Sequence, residues 1–239
     1  MKLDGKRVLV TGGAVRIGSE ICRAFARRNC RIVIHFNRSE REAMELLSEL
    51  GGTESGHSIL KCDFNDSDSL KGIFARSGTV DILVNNASVF KCRPLADSGP
   101  DSIPECNFKI NFEVPVTLSR LFSMQNIQSG AILNILDERI VRTRDGDGLY
   151  ELSKKALMNA TYVLARQFAP AIRVNAVAPG AVLPPKGRED LTLEKHIAEM
   201  PLKRAPKSED VAAACVFLAE QDSITGQIIF VDGGGHLNG

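Results

Sequence analysis

The feature that most constrains the fold is a regular alternation of short apolar runs with helical segments along the whole chain. The apolar runs predict strands at residues 7–11, 31–35, 58–62, 81–85, 131–136, 173–177 and 227–231. They are apolar on both faces, as strands covered by helices on each side should be. The segments between them repeat apolar residues three and four positions apart, which is typical of helices. The alternation therefore predicts an α/β fold, a single-domain, doubly wound parallel sheet of about seven strands with helices on both faces.

Length and charge exclude several classes of protein. A chain of 239 residues is ordinary for one α/β domain. Lys plus Arg number 30 and Asp plus Glu 29, so no charge excess invites nucleic acid or a membrane surface. The six cysteines form no CxxC pair and the histidines show no ligand spacing, so we predict reduced thiols and no metal site. With no signal-like or membrane-spanning apolar run, we expect a cytoplasmic protein.

Two segments rich in Pro, Gly and charge, 92–105 and 181–198, are candidate lids. Functional loops of parallel α/β sheets lie at the carboxyl ends of the strands. We expect 181–198 to be the substrate loop.

A glycine-rich turn, "TGGAVRIG" at 11–18, follows the first strand and opens the first helix. Such a turn presents backbone N–H groups and a helix N-terminus to an anion, which suits the pyrophosphate of a dinucleotide. The spacing places Arg16 where a middle glycine often stands. The alternative is that the turn is only a tight connection.

The end of the second strand indicates which dinucleotide binds. An acidic residue at this place usually holds the ribose of NAD, but this chain has Asn37, Arg38 and Ser39. A guanidinium and a hydroxyl would attract a 2′-phosphate, so we predict NADPH. Ser39 could equally be the N-cap of the next helix. Asp63, after the third strand, could accept a hydrogen bond from adenine or simply form a turn.

Tyr150 and Lys154 in "YELSK" are four residues apart and hence lie on one face of a predicted helix. A lysine ammonium beside a phenol lowers the pKa of the phenol by stabilising the phenolate. Tyr150 would then be a proton donor near neutral pH, and Lys154 could also hold the nicotinamide ribose.

Over essentially its whole length the chain resembles the short-chain dehydrogenase/reductase family. The resemblance rests on "TGGAVRIG", "CDF", "NNAS", "INFEVP", "YELSK", "RVNAVAPG" and "ITGQIIFVDGG". It implies a Rossmann-like fold and a catalytic group of Asn, Ser, Tyr and Lys. Asn111, Tyr150 and Lys154 match three of these positions. The family's serine stands about thirteen residues before the tyrosine, and here that residue is Asp137.

This exchange changes the chemistry that the site favours. A serine hydroxyl can donate to the oxyanion that develops when a ketone is reduced, whereas an ionised Asp137 would repel it. Reduction of a ring C=N bond protonates nitrogen through a cationic species that a carboxylate can stabilise. Asp137 therefore favours a nitrogen heterocycle as substrate. The alternative is that Asp137 only caps a loop and the enzyme is impaired.

Within the family, the chain looks like the pteridine reductase branch, which includes bacterial dihydromonapterin and dihydrofolate reductases of this fold. The resemblance implies substrate contacts from Arg16, Ser88, Phe90, Asp137 and Tyr150. A flat pterin needs an aromatic face and polar groups at its edge, which these residues could supply. The implied cofactor-binding residues are Gly12, Arg16, Ile17, Gly18, Asn37, Arg38, Ser39, Asp63, Phe64, Asn86, Ala87, Ser88, Tyr150, Lys154, Pro179 and Gly180.

The sequence thus predicts an NADPH-dependent reductase of a pterin or folate-like heterocycle. A rival within the family is a reductase of 3-oxoacyl thioesters or other carbonyls. A rival of another class is a non-catalytic NADP-binding sensor. The resemblance also implies a homo-oligomer, with a tetramer expected.

Overall fold

The computed structural model describes residues 1–90, 105–141, 148–184 and 193–238, without the side chains of residues 105, 106 and 195. Its strands form one parallel sheet in the order β3-β2-β1-β4-β5-β6-β7. The strands are β1 (Arg7–Val10), β2 (Arg31–Phe36), β3 (Ser58–Lys61), β4 (Ile82–Asn85), β5 (Gly130–Ile135), β6 (Ile172–Pro179) and β7 (Ile228–Val231). The predicted doubly wound sheet is confirmed, and each predicted strand agrees with its observed bounds to within two residues.

Helices cover both faces of the sheet. They are α1 (Arg16–Ala26), α2 (Glu40–Glu49), α3 (Ser67–Lys71), α4 (Ile73–Ser77), α5 (Glu105–Phe108), α6 (Val114–Ser123), α7 (Gly148–Phe168), α8 (Glu194–Glu199) and α9 (Ser208–Glu220). Because alternate strand residues point to opposite faces, Val8 and Val10 belong to the core under α1 and α9. Leu9, between them, packs on the other side with Leu118 and Phe122 of α6.

The strand order shows at which point of the sheet a ligand would bind. The chain leaves β1 toward β2 on one side and later returns to pair β4 on the other side of β1. The carboxyl ends of β1 and β4 therefore flank a topological switch point, where ligands bind in open α/β sheets.

A π-helical turn, Lys109–Glu113, joins α5 to α6 without a break. Asn111 lies in this turn and is fully buried. Because a π turn adds one residue to the helical hydrogen-bond ring, it re-aims the side chains within it.

Of the two predicted lids, 92–105 lies almost wholly outside the described residues, as do residues 185–192 of the predicted substrate loop. Throughout the described ranges, none of the helices is both long enough and apolar enough to cross a membrane.

Candidate active site

The glycine turn after β1 has a backbone that only certain residues can adopt. Gly12 has φ +61°, and Arg16 at the start of α1 has φ +58°. A Cβ atom at Gly18 would overlap the carbonyl oxygen of Gly12 and lie 2.7 Å from the Asn86 side-chain nitrogen. The two glycines thus let the chain fold tightly enough to present backbone N–H groups to an anion.

Thr11 and Asn86 fix this turn to the end of β4. The Asn86 side chain donates to the carbonyl oxygens of Thr11 (2.8 Å) and Gly12 (3.1 Å). In return, the Thr11 hydroxyl oxygen accepts from the backbone N–H groups of Asn86 and Ala87, both at 2.9 Å. The role of Thr11 was not predicted, although it lies inside the motif.

His35, the last residue of the strand predicted at 31–35, is the third support of the turn. Its Nδ1 accepts from the Gly12 N–H at 3.0 Å, and its Nε2 lies 3.0 Å from the Cys62 carbonyl oxygen. The ring stacks on Phe64 with centroids 4.3 Å apart. Burial lowers the pKa of His35 to about 4, and Arg76 adds to that, against the opposing effect of the Cys62 bond. His35 is therefore neutral and accepts through Nδ1 while donating through Nε2.

The residues predicted to hold the 2′-phosphate lie at the surface after β2. Asn37 and Arg38 are exposed and Ser39 is half-buried. Ser39 does occupy the N-cap position of α2, but its side chain makes no capping hydrogen bond. Asp63 forms a turn, because its Oδ1 accepts from the backbone (2.9 Å) and the side chain (3.0 Å) of Asn65. The turn-forming alternative for Asp63 is thus observed.

Asp137 and Tyr150 meet directly at the carboxyl end of the sheet. The Tyr150 hydroxyl donates to Asp137 Oδ2 at 2.8 Å. Tyr150 is buried, whereas the Asp137 side chain keeps 22% of its surface exposed. The loop after β5 and helix α7 thus bring the two groups into one site.

Lys154 lies on the same face of α7 as Tyr150. Its ammonium donates to the Ile135 carbonyl oxygen at 2.8 Å and lies 5.9 Å from the centre of the Tyr150 ring. Burial lowers the pKa of Lys154 to about 8, and nearby Asp137 opposes that shift. Lys154 is therefore a buried cation close to the phenol, as the YxxxK spacing predicted.

Asn111 connects the loop after β4 to α7. Its Oδ1 accepts from the Ser88 hydroxyl (3.0 Å) and from the Val89 N–H (2.9 Å). Its Nδ2 donates to the Val89 carbonyl oxygen (2.9 Å) and to Ser153 Oγ (3.1 Å). Ser153 in turn donates to the Tyr150 carbonyl oxygen at 2.6 Å. Asn111 therefore sets the position of Ser88 relative to Tyr150, and Ser153 is a linking residue that was not predicted.

Phe90 and Arg139 complete the wall around Tyr150. The Phe90 ring meets the Tyr150 ring edge-on, with centroids 4.7 Å apart, and is 41% exposed. The Arg139 guanidinium carbon lies 5.2 Å from the centre of the Phe90 ring. Arg139 was not predicted, since nothing in its local sequence shows which side chains it meets.

Arg16 points toward the predicted substrate loop. Its guanidinium donates to the Pro184 carbonyl oxygen at 2.6 Å. Pro179 ends β6, and the Gly180 N–H donates to the Val231 carbonyl oxygen at 3.0 Å. Ile17 packs at the edge of the core under α1. The structure thus places the start of the predicted loop beside the glycine turn.

A family model described as enoyl-(acyl carrier protein) reductase matches residues 13–236, almost the whole chain. The chain belongs to the short-chain dehydrogenase/reductase family. Its membership confirms the prediction made from the motifs and makes the protein an oxidoreductase.

Several members of this family are similar to the chain over nearly their full lengths. The solved structure of FolM alternative dihydrofolate reductase 1 from Brucella canis, complexed with NADP, is 34% identical, with a TM-score of 0.87 and coverage of 99% of this chain and 96% of that one. D-xylose 1-dehydrogenase of Caulobacter vibrioides is 31% identical, covering 97% and 96%. The 3-oxoacyl-[acyl-carrier-protein] reductase FabG of Thermotoga maritima is 30% identical, covering 98% and 99%. The first of these supports the pteridine reductase-like branch, while the other two act on different substrates by name.

Proposed function

We propose that this short-chain dehydrogenase/reductase is an NADPH-dependent reductase of pterins or folate-like heterocycles. The observation that carries the proposal is the hydrogen bond of Tyr150 to Asp137, at the position where the family has a serine. The similarity to the FolM structure supports it independently. We expect the protein to act in the cytoplasm as a homo-oligomer, a tetramer by family resemblance.

The residues at the carboxyl ends of β1, β4 and β6 fit a dinucleotide. Glycine at positions 12 and 18 lets the turn close tightly against Asn86 and Ala87, because a Cβ at either position would crowd those residues. Exposed Arg38 supplies the positive charge for a 2′-phosphate. Lys154 would hold the nicotinamide ribose, and Asn86, Ala87, Pro179 and Gly180 line the two strand ends beside it. When bound, NADPH supplies a hydride.

Asp137 and Tyr150 would control the transfer of a proton to the substrate. A ring nitrogen gains electron density when its neighbouring carbon is reduced, and it must then take up a proton. The Tyr150 hydroxyl gives that proton to the ring nitrogen and becomes a phenolate, and Asp137 Oδ2, 2.8 Å from the hydroxyl oxygen, can stabilise a cationic ring nitrogen. Lys154 favours release of the proton by stabilising a phenolate. A ketone oxyanion in the same place would meet the Asp137 carboxylate instead of a donor.

Ser88 and Phe90 would orient the substrate. Asn111 fixes Ser88 through a 3.0 Å bond, so its hydroxyl has a defined position for the polar edge of a pterin. Phe90 offers an exposed aromatic face at the same wall.

The test follows NADPH oxidation by the purified protein with a dihydropterin and a 3-oxoacyl thioester in parallel. We expect turnover of the dihydropterin, reduced about 100-fold or more in Asp137→Asn, since one acid–base group contributes about 100- to 10,000-fold. The matched control is Asp68→Asn, at an exposed carboxylate on α3, which should be as active as the unchanged protein.

Two results would contradict the proposal. Turnover of the thioester alone would make the protein a carbonyl reductase, the function named for its FabG relative. Binding of NADPH without turnover of either compound would favour a sensor. The variant Asp137→Ser adds a direct comparison, because a serine should improve ketone reduction at the expense of the pterin.

A further inference from the structure

Arg139 is a second cation at the Asp137–Tyr150 pair, and the proposed function assigns it no role. It lies in the 3₁₀ turn Glu138–Val141, directly after Asp137. Its Nε is 3.8 Å from Asp137 Oδ1, and its guanidinium carbon is 5.9 Å from the centre of the Tyr150 ring. Only 17% of its side chain is exposed, so water screens its charge weakly.

The two oxygens of Asp137 have different partners. Oδ2 accepts from the Tyr150 hydroxyl at 2.8 Å. Oδ1 accepts from the Arg139 backbone N–H at 2.9 Å and faces its guanidinium. The carboxylate is therefore held between the phenol that it contacts and the cation that balances it.

An aspartate at position 137, where the family has a serine, disfavours the phenolate form of Tyr150. A carboxylate that accepts a hydrogen bond from a phenol stabilises the protonated phenol and repels the phenolate. This effect opposes the release of a proton from Tyr150. A neutral serine at position 137 would bring no such charge, so only the aspartate needs a compensating cation nearby.

Charged side chains that face Tyr150 include Asp137, Arg139 and Lys154. Lys154 alone is an incomplete counter-charge, because burial lowers its pKa to about 8 and it is partly neutral in mild alkali. A guanidinium stays charged at every pH at which proteins fold.

We propose that Arg139 is a positioning residue that compensates the charge of Asp137 and so keeps the Tyr150 hydroxyl able to release its proton. The inference deepens the proposed function, in which Asp137 and Tyr150 deliver that proton. In this role Arg139 supplies the positive charge that an aspartate at position 137 needs and that a serine there would not.

The composition of the chain allows a direct test without substrate. The sequence contains two tyrosines, Tyr150 and Tyr162, and no tryptophan. Tyr162 is 47% exposed on α7, outside the site. In a Tyr162→Phe background, the ultraviolet absorbance of the phenolate therefore reports on Tyr150 alone. Its titration midpoint would be measured on the protein without cofactor, with circular dichroism to verify folding at each pH.

We expect Arg139→Met to raise the midpoint by about two pH units, the effect of one charge about 6 Å from the ring centre at an effective dielectric constant of about 20. Arg139→Gln should do the same and serves if the methionine variant folds poorly. Arg139→Lys should restore most of the shift. Asp137→Asn should lower the midpoint, and Asp137→Asn with Arg139→Met should return it close to its starting value.

The control Arg41→Met removes an exposed positive charge on α2 and should leave the midpoint unchanged. A merely structural Arg139 would lower stability in its variants without moving the phenol titration, and that result would overturn the inference. Because no substrate is used, a shifted midpoint in a protein that does not reduce a dihydropterin would refute the proposed function alone. An unshifted midpoint in an active pterin reductase would refute the role of Arg139 alone.

Discussion

Replacing His35 with phenylalanine tests how the glycine turn is supported. Phenylalanine keeps a ring to stack on Phe64 but loses both polar contacts of the imidazole, to the Gly12 N–H and to the Cys62 carbonyl oxygen. A buried polar group left without a partner costs about 1–3 kcal/mol. We therefore expect His35→Phe to lower the free energy of unfolding by about 2–4 kcal/mol near neutral pH.

The pH dependence of that loss identifies its cause. The pKa of His35 is lowered by burial from 6.5 to about 4, so below pH 6.5 the unfolded chain takes up a proton that the folded protein does not. Folding stability then falls as the pH drops toward 4. Between about pH 7.5 and about pH 5, this linkage removes ~2 kcal/mol from the unchanged protein and nothing from His35→Phe.

The assay is urea denaturation of both proteins at the two pH values, without cofactor. The difference in unfolding free energy should shrink by about 2 kcal/mol at the lower pH. His57, whose pKa is also lowered by burial, is present in both proteins and cancels in the difference. An equal difference at both pH values would refute the reasoning, because it would mean that His35 is not held neutral in the folded protein.

Two further variants test the cofactor site. Gly18→Ala should weaken NADPH binding by at least about 10-fold in a calorimetric titration, because its Cβ would overlap the Gly12 carbonyl oxygen, whereas the control Gly72→Ala meets nothing closer than 3.5 Å and should bind normally. Arg38→Ala should weaken NADPH binding by about 10- to 100-fold, the loss of one charge-assisted bond, and leave NADH binding unchanged. Equal losses for both cofactors would contradict a 2′-phosphate role, and Arg41→Ala is the matched control.

The sheet and the phosphate-binding turn could be predicted because their signals are local. Parallel strands buried on both faces are continuously apolar, and a tight turn leaves glycines at fixed spacing. Tyr150 and Lys154 were placed on one face by helical periodicity alone. These features depend on neighbours within a few positions along the chain.

The supporting residues could not be predicted, because their partners are distant in sequence. The partners of His35 are 23 and 27 residues away, and Ser153, which was not predicted, lies 42 residues from its partner Asn111. A single residue in the sequence does not show which distant residues it will contact in the folded protein. Ser39 shows the converse, since a local rule placed it correctly at the N-cap while its side chain makes no capping bond.

The π turn at Lys109–Glu113 makes the active site sensitive to chain length as well as to residue identity. Deleting one residue there would let α5 and α6 join as an uninterrupted α-helix, which loses no backbone hydrogen bond. The segments on either side would keep their facing, because the π turn is what absorbs the extra residue, but the side chains within the turn would be re-aimed. Asn111 would then turn away from Ser88 and Ser153. A deletion that keeps the helical hydrogen bonds would therefore break the contacts that join the loop after β4 to α7.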